Sequence, residues 1–170
     1  FLTNAFNLMD GLDGVAGSLA IISIIGINIA TAFSSNYYIN LLCVAVVGTL
    51  LPYMWFNLVK SNKQKIFLGD CGSLFLGYSI AFILLHESNL NNDLSPSYAL
   101  WLIAVPVFDI ISVMIYRFKN SRSLFTPDRS HLHQFLKSFG LSDIKVLFLI
   151  TCLAMFFVFF GLLLEYEFKI

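Results

Sequence analysis

The chain has 170 residues, of which 58% are hydrophobic and 12% charged, with a net charge of zero. A soluble domain carries roughly 45–50% apolar and 25% charged residues, so with a mean hydropathy of +0.82 this is a polytopic membrane protein rather than a soluble core. Zero net charge gives no global attraction for nucleic acid, and Cys43, Cys71 and Cys152 show neither CxxC nor Cys/His metal spacing, which argues against a disulfide framework or a zinc site.

In chain order, the first element is polar. The sequence starts at Phe1 without Met and reaches Asn7-Leu8-Met9-Asp10-Gly11-Leu12-Asp13-Gly14 with no signal-peptide pattern before it. We expect residues 1–170 to be the C-terminal part of a single integral-membrane domain, with N-terminal spans absent. Asn7, Asp10 and Asp13 recur every three residues, which predicts a shared helix face. Gly11, Gly14 and Gly17 form a smooth stripe suited to close helix packing. Acids at a helix N-terminus would complement its dipole, but that accounts for one Asp and not for the set.

Hydropathy then predicts five spans, at 15–33, 41–59, 73–86, 98–116 and 146–164. The third reaches the ~20 residues a bilayer requires if it begins near Ile66. Pro52 and Pro106 are expected kinks. The second span ends beside Asn57 and the fourth carries Asp109. An ionisable residue inside a span points to function, although an interhelical hydrogen bond or a pair with Arg117 would equally explain Asp109. Between the second and third spans, Phe67-Leu68-Gly69-Asp70-Cys71-Gly72-Ser73 places one Asp between glycines that allow close backbone approach. Asp70 or Ser73 could also cap the third span. After the fourth span, Thr126-Pro127 reads as a helix start and Gly140 as its stop. Leu132, Phe135, Leu136 and Phe139 repeat along a short amphipathic surface helix, with Arg129, His133 and Lys137 in a row beside them.

Charge sets the orientation. Lys60, Lys63 and Lys65 lie in one connection, and Arg117, Lys119, Arg122, Arg129, Lys137 and Lys145 in or beside another, leaving only Lys169 elsewhere. The alternate connections carry no base. The positive-inside rule makes the basic connections cytoplasmic. The Asn7–Gly14, Phe67–Ser73 and Asp128–His133 clusters then meet at the cytoplasmic face. Asn7 and Asp70 offer the sparse hard-oxygen set that Mg²⁺ takes before phosphate and water complete its shell. Arg129, His131 and His133 suit phosphate, and two His without a third ligand do not make a zinc site. A transporter using Asp109 as an ion site would spread polar groups through the bilayer depth; here they gather at one face.

These residues resemble a known family. Asn4-Ala5-Phe6-Asn7-Leu8-Met9-Asp10-Gly11-Leu12-Asp13-Gly14, Phe67-Leu68-Gly69-Asp70-Cys71-Gly72-Ser73 and Pro127-Asp128-Arg129-Ser130-His131-Leu132-His133 look like the motifs of the polyprenyl-phosphate N-acetylhexosamine-1-phosphate transferases (glycosyltransferase family 4). Within that family the chain is most similar to the branch that initiates O-antigen and enterobacterial common antigen synthesis. The resemblance runs over nearly the whole chain, in order. It implies an all-α polytopic fold in the bacterial inner membrane with a cytoplasmic active site, and transfer of GlcNAc-1-phosphate from UDP-GlcNAc to undecaprenyl phosphate with release of UMP. It implies Mg²⁺ or Mn²⁺ held by Asn7 and Asp70. It implies catalytic roles for Asp10, Asp13, His131 and His133, and a nucleotide site of Asn57, Phe67, Asp10 and Asp13. Arg129, His131 and His133 would meet the phosphates. Membrane lipids are expected partners, nucleic acid is not, and a homodimer is an expectation. Two departures stand out. No Asp-Asp pair occurs in the 170 residues, so the chain alone is expected to be inactive, and Gln134 stands where relatives often carry a further His. The alternatives are the same chemistry with another UDP-sugar, as in a teichoic-acid initiator or a phospho-MurNAc-pentapeptide transferase, and a catalytically incomplete fragment or pseudoenzyme.

Overall fold

The computed structural model describes residues 1–31, 36–58, 65–89, 94–121 and 131–168. These form α-helices only: α1 Leu2–Met9, α2 Val15–Ala30, α3 Tyr37–Leu58, α4 Gly69–Asn89, α5 Pro96–Leu102, α6 Ala104–Lys119, α7 Leu132–Ser138 and α8 Asp143–Phe168. Among the described residues α3, α4 and α8 are each long and apolar enough to cross a membrane, and α5 with α6 makes a fourth if that bent pair is one span. The protein is thus an all-α polytopic membrane protein. The five predicted spans reduce to three or four on these criteria, because α2 has only 16 residues. At 1.5 Å per residue that is about 24 Å, against a hydrocarbon core of ~30 Å. The third span, α4, begins at Gly69 and ends at Asn89, and so reaches full length.

The predicted single span over 98–116 is in fact two helices meeting at 79°. Pro106 lies at the third position of α6 and has no N–H to offer the carbonyl four residues back. That carbonyl belongs to Leu102, and the Ser23 hydroxyl of α2 donates to it at 2.7 Å. A buried carbonyl without a partner costs ~1–3 kcal/mol, so this bond stabilises the bend. Pro52, the other expected kink, lies inside an unbroken α3.

The short α1 is nearly enclosed, with Ala5, Phe6 and Met9 at 1% exposure or less. It packs antiparallel along α4. A methyl on Gly77 would lie 2.6 Å from the Thr3 Cα and 3.0 Å from the Leu2 carbonyl oxygen, both backbone atoms. Only glycine permits that approach, and one turn further along the same interface Asn7 meets Ser73.

The predicted continuous helix face through Asn7, Asp10 and Asp13 is interrupted. α1 ends at Met9, and Gly14 precedes α2 with φ +78°, a left-handed conformation no helix continues through. The glycines still make close approaches: methyls on Gly14 and Gly17 would lie 2.9 Å from Leu58 and 2.6 Å from the Met54 sulfur. The surface helix is shorter than expected. His131 is extended at φ −70°, ψ 152° and caps α7, and Gly140 with φ +77° follows its end. The expected Arg129–His133–Lys137 row therefore cannot run along one helix. Thr126-Pro127, Asp128 and Arg129 lie outside the described residues.

Candidate active site at one end of the bundle

The end of α1, the turn 10–14, the end of α3, the start of α4 and α7 assemble one polar cluster. Asn7 donates its amide to Asp70 Oδ1 at 3.0 Å and to the Ser73 hydroxyl at 2.9 Å. Ser73 in turn donates to the Gly69 carbonyl at 3.0 Å. With its NH₂ committed, Asn7 keeps its carbonyl oxygen for another partner, and Asp70 keeps its second carboxylate oxygen.

Asn57 is buried and fixes the two loops around this pair. Its Oδ1 accepts from the Gly14 N–H at 2.7 Å, and its Nδ2 donates to the Ile66 carbonyl at 2.8 Å. The positive-φ turn carrying the acids and the segment entering α4 are thereby held at a common anchor. Asp13 pairs with Lys65, whose ammonium also lies 5.7 Å from the centre of the Phe67 ring. The Phe67 ring itself is 69% exposed. Asp10 has no such cation among the described residues. Partial burial, then the charges of Asp13 and Asp70, push its carboxyl up from 3.8 to about 6. Three carboxylates thus lie near one another with Lys65 the lysine beside them among the described residues, a field that favours a cation.

The histidines close the other side. A methyl on Gly11 would lie 2.5 Å from His133 Nε2, so this ring rests on the acid-bearing turn. Burial, and secondarily the neighbouring His131, lower the His133 pKa, which favours its neutral form. Its Nδ1 is buried and has no hydrogen-bond partner among the described residues. The His131 and His133 rings are stacked with centroids 6.2 Å apart. His131 Nδ1 lies 2.8 Å from Asp109 Oδ2, while Asp109 Oδ1 accepts from the Leu132 N–H at 2.6 Å.

The sequence-predicted Asn7, Asp10, Asp13, Asn57, Phe67, Asp70, His131 and His133 all contribute to this end of the molecule, whereas Arg129 lies outside the described residues. Sequence reasoning missed three participants. Ser73 was foreseen only as a cap, although its spacing of three from Asp70 places it one turn along the same helix. Lys65 was read only as a topogenic charge. The sequence around Asp109 alone fits a packing and a functional role equally. No group of three or more His, Cys, Asp or Glu able to hold a metal occurs among the described residues. Any cation here would rest on a sparse set such as Asn7 and Asp70.

Comparison with known proteins gives a consistent result. The family described as "Glycosyl transferase family 4" matches residues 1–87. Undecaprenyl-phosphate alpha-N-acetylglucosaminyl 1-phosphate transferase of Escherichia coli (strain K12) is 34% identical over 166 residues, covering 96% of this chain and 45% of that protein. The enzyme of the same name from Yersinia pestis is 35% identical over 164 residues, covering 95% and 45%. A probable undecaprenyl-phosphate N-acetylglucosaminyl 1-phosphate transferase of Bacillus subtilis (strain 168) is 36% identical over 156 residues, covering 88% and 42%. The chain spans under half the length of the curated relatives it matches.

Proposed function

The chain belongs to glycosyl transferase family 4, and from that premise we propose that the intact protein transfers GlcNAc-1-phosphate from UDP-GlcNAc to undecaprenyl phosphate, releasing UMP. The reaction is the first lipid-linked step of a cell-envelope polysaccharide. The protein sits in the bacterial inner membrane with the cluster facing the cytoplasm, where the soluble nucleotide sugar and the head of the lipid phosphate can meet. The observation that carries this reading is the Asn7–Asp70–Ser73 contact between α1 and α4, with the acidic turn and His133 stacked against it.

A phosphate monoester has a second pKa of ~6, so the lipid phosphate is already an oxyanion at neutral pH. Its oxygen bonds to the sugar-bearing phosphorus as the bridging bond to UMP breaks. That chemistry requires positioning and charge neutralisation more than a base. The donor set fits Mg²⁺ or Mn²⁺: hard oxygens remain on Asn7 and Asp70 after their mutual hydrogen bond, and the Asp10 carboxyl, raised by burial first and then by Asp13 and Asp70, stands beside them. Asn7 and Asp70 would hold such an ion, which would supply charge neutralisation to the pyrophosphate. Phe67 offers its exposed ring to the uracil face. Asn57 serves the nucleotide site by fixing both loops that line it. Asp13, tied to Lys65, shapes that site. Asp10 faces the phosphate region with its carboxylate unpaired among the described residues. His131 and His133 give hydrogen-bonding nitrogens to the phosphates, together with Arg129.

The test is transfer of radiolabelled GlcNAc-1-phosphate from UDP-GlcNAc to undecaprenyl phosphate, by membranes carrying the intact protein, with and without Mg²⁺. Metal-dependent, butanol-extractable label with stoichiometric UMP is expected. Label from UDP-GalNAc or UDP-MurNAc-pentapeptide alone would keep the chemistry and replace the donor. No label from any of the three would overturn the reading.

A further inference from the structure

The Asp109 carboxylate sits inside the bundle on α6 at 7% exposure, and His131 beside it at 5%. A buried charge is costly unless it is fully engaged. Here both oxygens are used on α7: Oδ2 faces His131 Nδ1 at 2.8 Å and Oδ1 accepts the Leu132 backbone N–H at 2.6 Å. Leu132 is the first residue of α7 and His131 its cap, with no side-chain cap of its own. One carboxylate on a membrane helix therefore satisfies an orphan N–H of α7 and contacts the ring that begins it.

We infer that Asp109 is a positioning residue for the transfer reaction: it fixes the proton of His131 on Nδ1, so that Nε2 is the ring atom presented to phosphate. This rests on the functional reading above. The logic is donor counting. A carboxylate can only accept, so the ring atom facing it must carry hydrogen. With Nδ1 committed, Nε2 is the nitrogen left for a ligand. A phosphate oxygen only accepts, so Nε2 must also carry hydrogen when it engages one; Asp109 then faces a doubly protonated, cationic ring, which Asp109→Asn cannot support because its amide NH₂ excludes hydrogen from Nδ1. The partner that orients an imidazole sets its tautomer in this way in other histidine sites.

The geometry makes Asp109→Asn a sharp probe. The Leu132 N–H requires an acceptor, which orients the amide oxygen of the substituted residue toward α7's backbone. The amide NH₂ then faces His131 Nδ1 and drives the ring proton to Nε2. The α6–α7 contact survives while the tautomer reverses. A purely structural Asp109 would leave kcat unchanged in a variant that keeps this contact.

The experiment is ¹⁵N spectroscopy of histidine-labelled intact protein, with the His131 signals assigned by loss in His131→Gln, paired with transfer kinetics. In the wild type, Nδ1 of His131 should resonate as a protonated nitrogen. In Asp109→Asn the protonated signal should move to Nε2, and kcat should fall about 100-fold or more with KM for the nucleotide sugar within about threefold. In a His131→Gln background, Asp109→Asn should cost little more, because the two act as one unit. A wild-type spectrum with unprotonated Nδ1 overturns the inference without any variant, and so do additive losses in the double variant. If Asp109→Asn fails to accumulate, the wild-type spectrum decides alone. Failure of the functional reading is separable: wild-type protein would then transfer no sugar phosphate whatever its His131 tautomer.

Discussion

At the scale of single residues, the site's character lies in which polar atoms are already committed. Asn57 has both ends of its amide bound to backbone, and Asp13 has Lys65. Asp10 has neither among the described residues, and its carboxyl is raised to about 6 by burial and by Asp13 and Asp70. For an acid whose pKa is raised on folding, the stabilising contribution is fully present below the unfolded value of 3.8 and lost as pH rises through about 6. Ionised Asp10 therefore weighs against the metal-free fold at neutral pH. Asp10→Asn should raise the thermal midpoint of cation-free protein in detergent at pH 8, with the gain shrinking as pH falls through 6. Discounted for its partial exposure, the effect is about 1 kcal/mol, or a few degrees for a chain of this size. A gain that is independent of pH would show that Asp10 carries no such charge penalty.

At the scale of elements, α1 is the part that positions the chemistry, and it depends on one glycine. Gly77 brings the α1 and α4 backbones into contact at Thr3, which aligns Asn7 with Ser73 and Asp70 one turn further along. Gly77→Val must separate two backbones, which no rotamer change can relieve. We expect a loss of about 3 kcal/mol, read as a lowered thermal midpoint, together with loss of transfer. A Gly77→Val protein of wild-type stability and activity would mean the helices do not touch there. The apolar runs were legible because hydropathy is local: α3, α4 and α8 follow directly from it, and Gly140 ends α7 as its residue type suggests. What local patterns could not show were the breaks. Residue spacing extends a helix through Asp10 and Asp13, but Gly14 takes φ +78° because Asn57, 43 residues away, accepts its N–H. The bend at Ile103 needs Ser23 from another helix to satisfy Leu102. The extended His131 needs Asp109. Each break is fixed by a partner distant in sequence, which period and propensity do not see. Asn7 and Asp70 stand out in the sequence by residue types that suit a divalent cation, and it is the α1–α4 packing that brings them into contact.

At the scale of the whole molecule, Asn7, Asp10, Asp13, Asp70, His131 and His133 gather at one end of the bundle, and the proposed reaction requires that end to face the cytoplasm. Cys71 reports on this, being exposed and adjacent to Asp70, whereas Cys43 is buried and Cys152 half-buried. A membrane-impermeant maleimide should label Cys71 in inverted inner-membrane vesicles and not in intact spheroplasts, with Cys71→Ser as the control. Labelling from the outer side would reverse the orientation and separate the cluster from its soluble donor.

The central claim is that Asn7 and Asp70, meeting across α1 and α4, hold a divalent cation for a nucleotide-sugar pyrophosphate. Its most direct test is Mn²⁺ binding by electron paramagnetic resonance to the intact protein in the presence of UDP-GlcNAc, comparing wild type with Asn7→Ala and Asp70→Asn. We predict one bound Mn²⁺ in the wild type and affinity weakened about tenfold or more in each variant, because Asn7→Ala removes a ligand oxygen and Asp70→Asn removes the negative charge of the other. Undiminished Mn²⁺ affinity in both variants, at unchanged thermal midpoint, would contradict it.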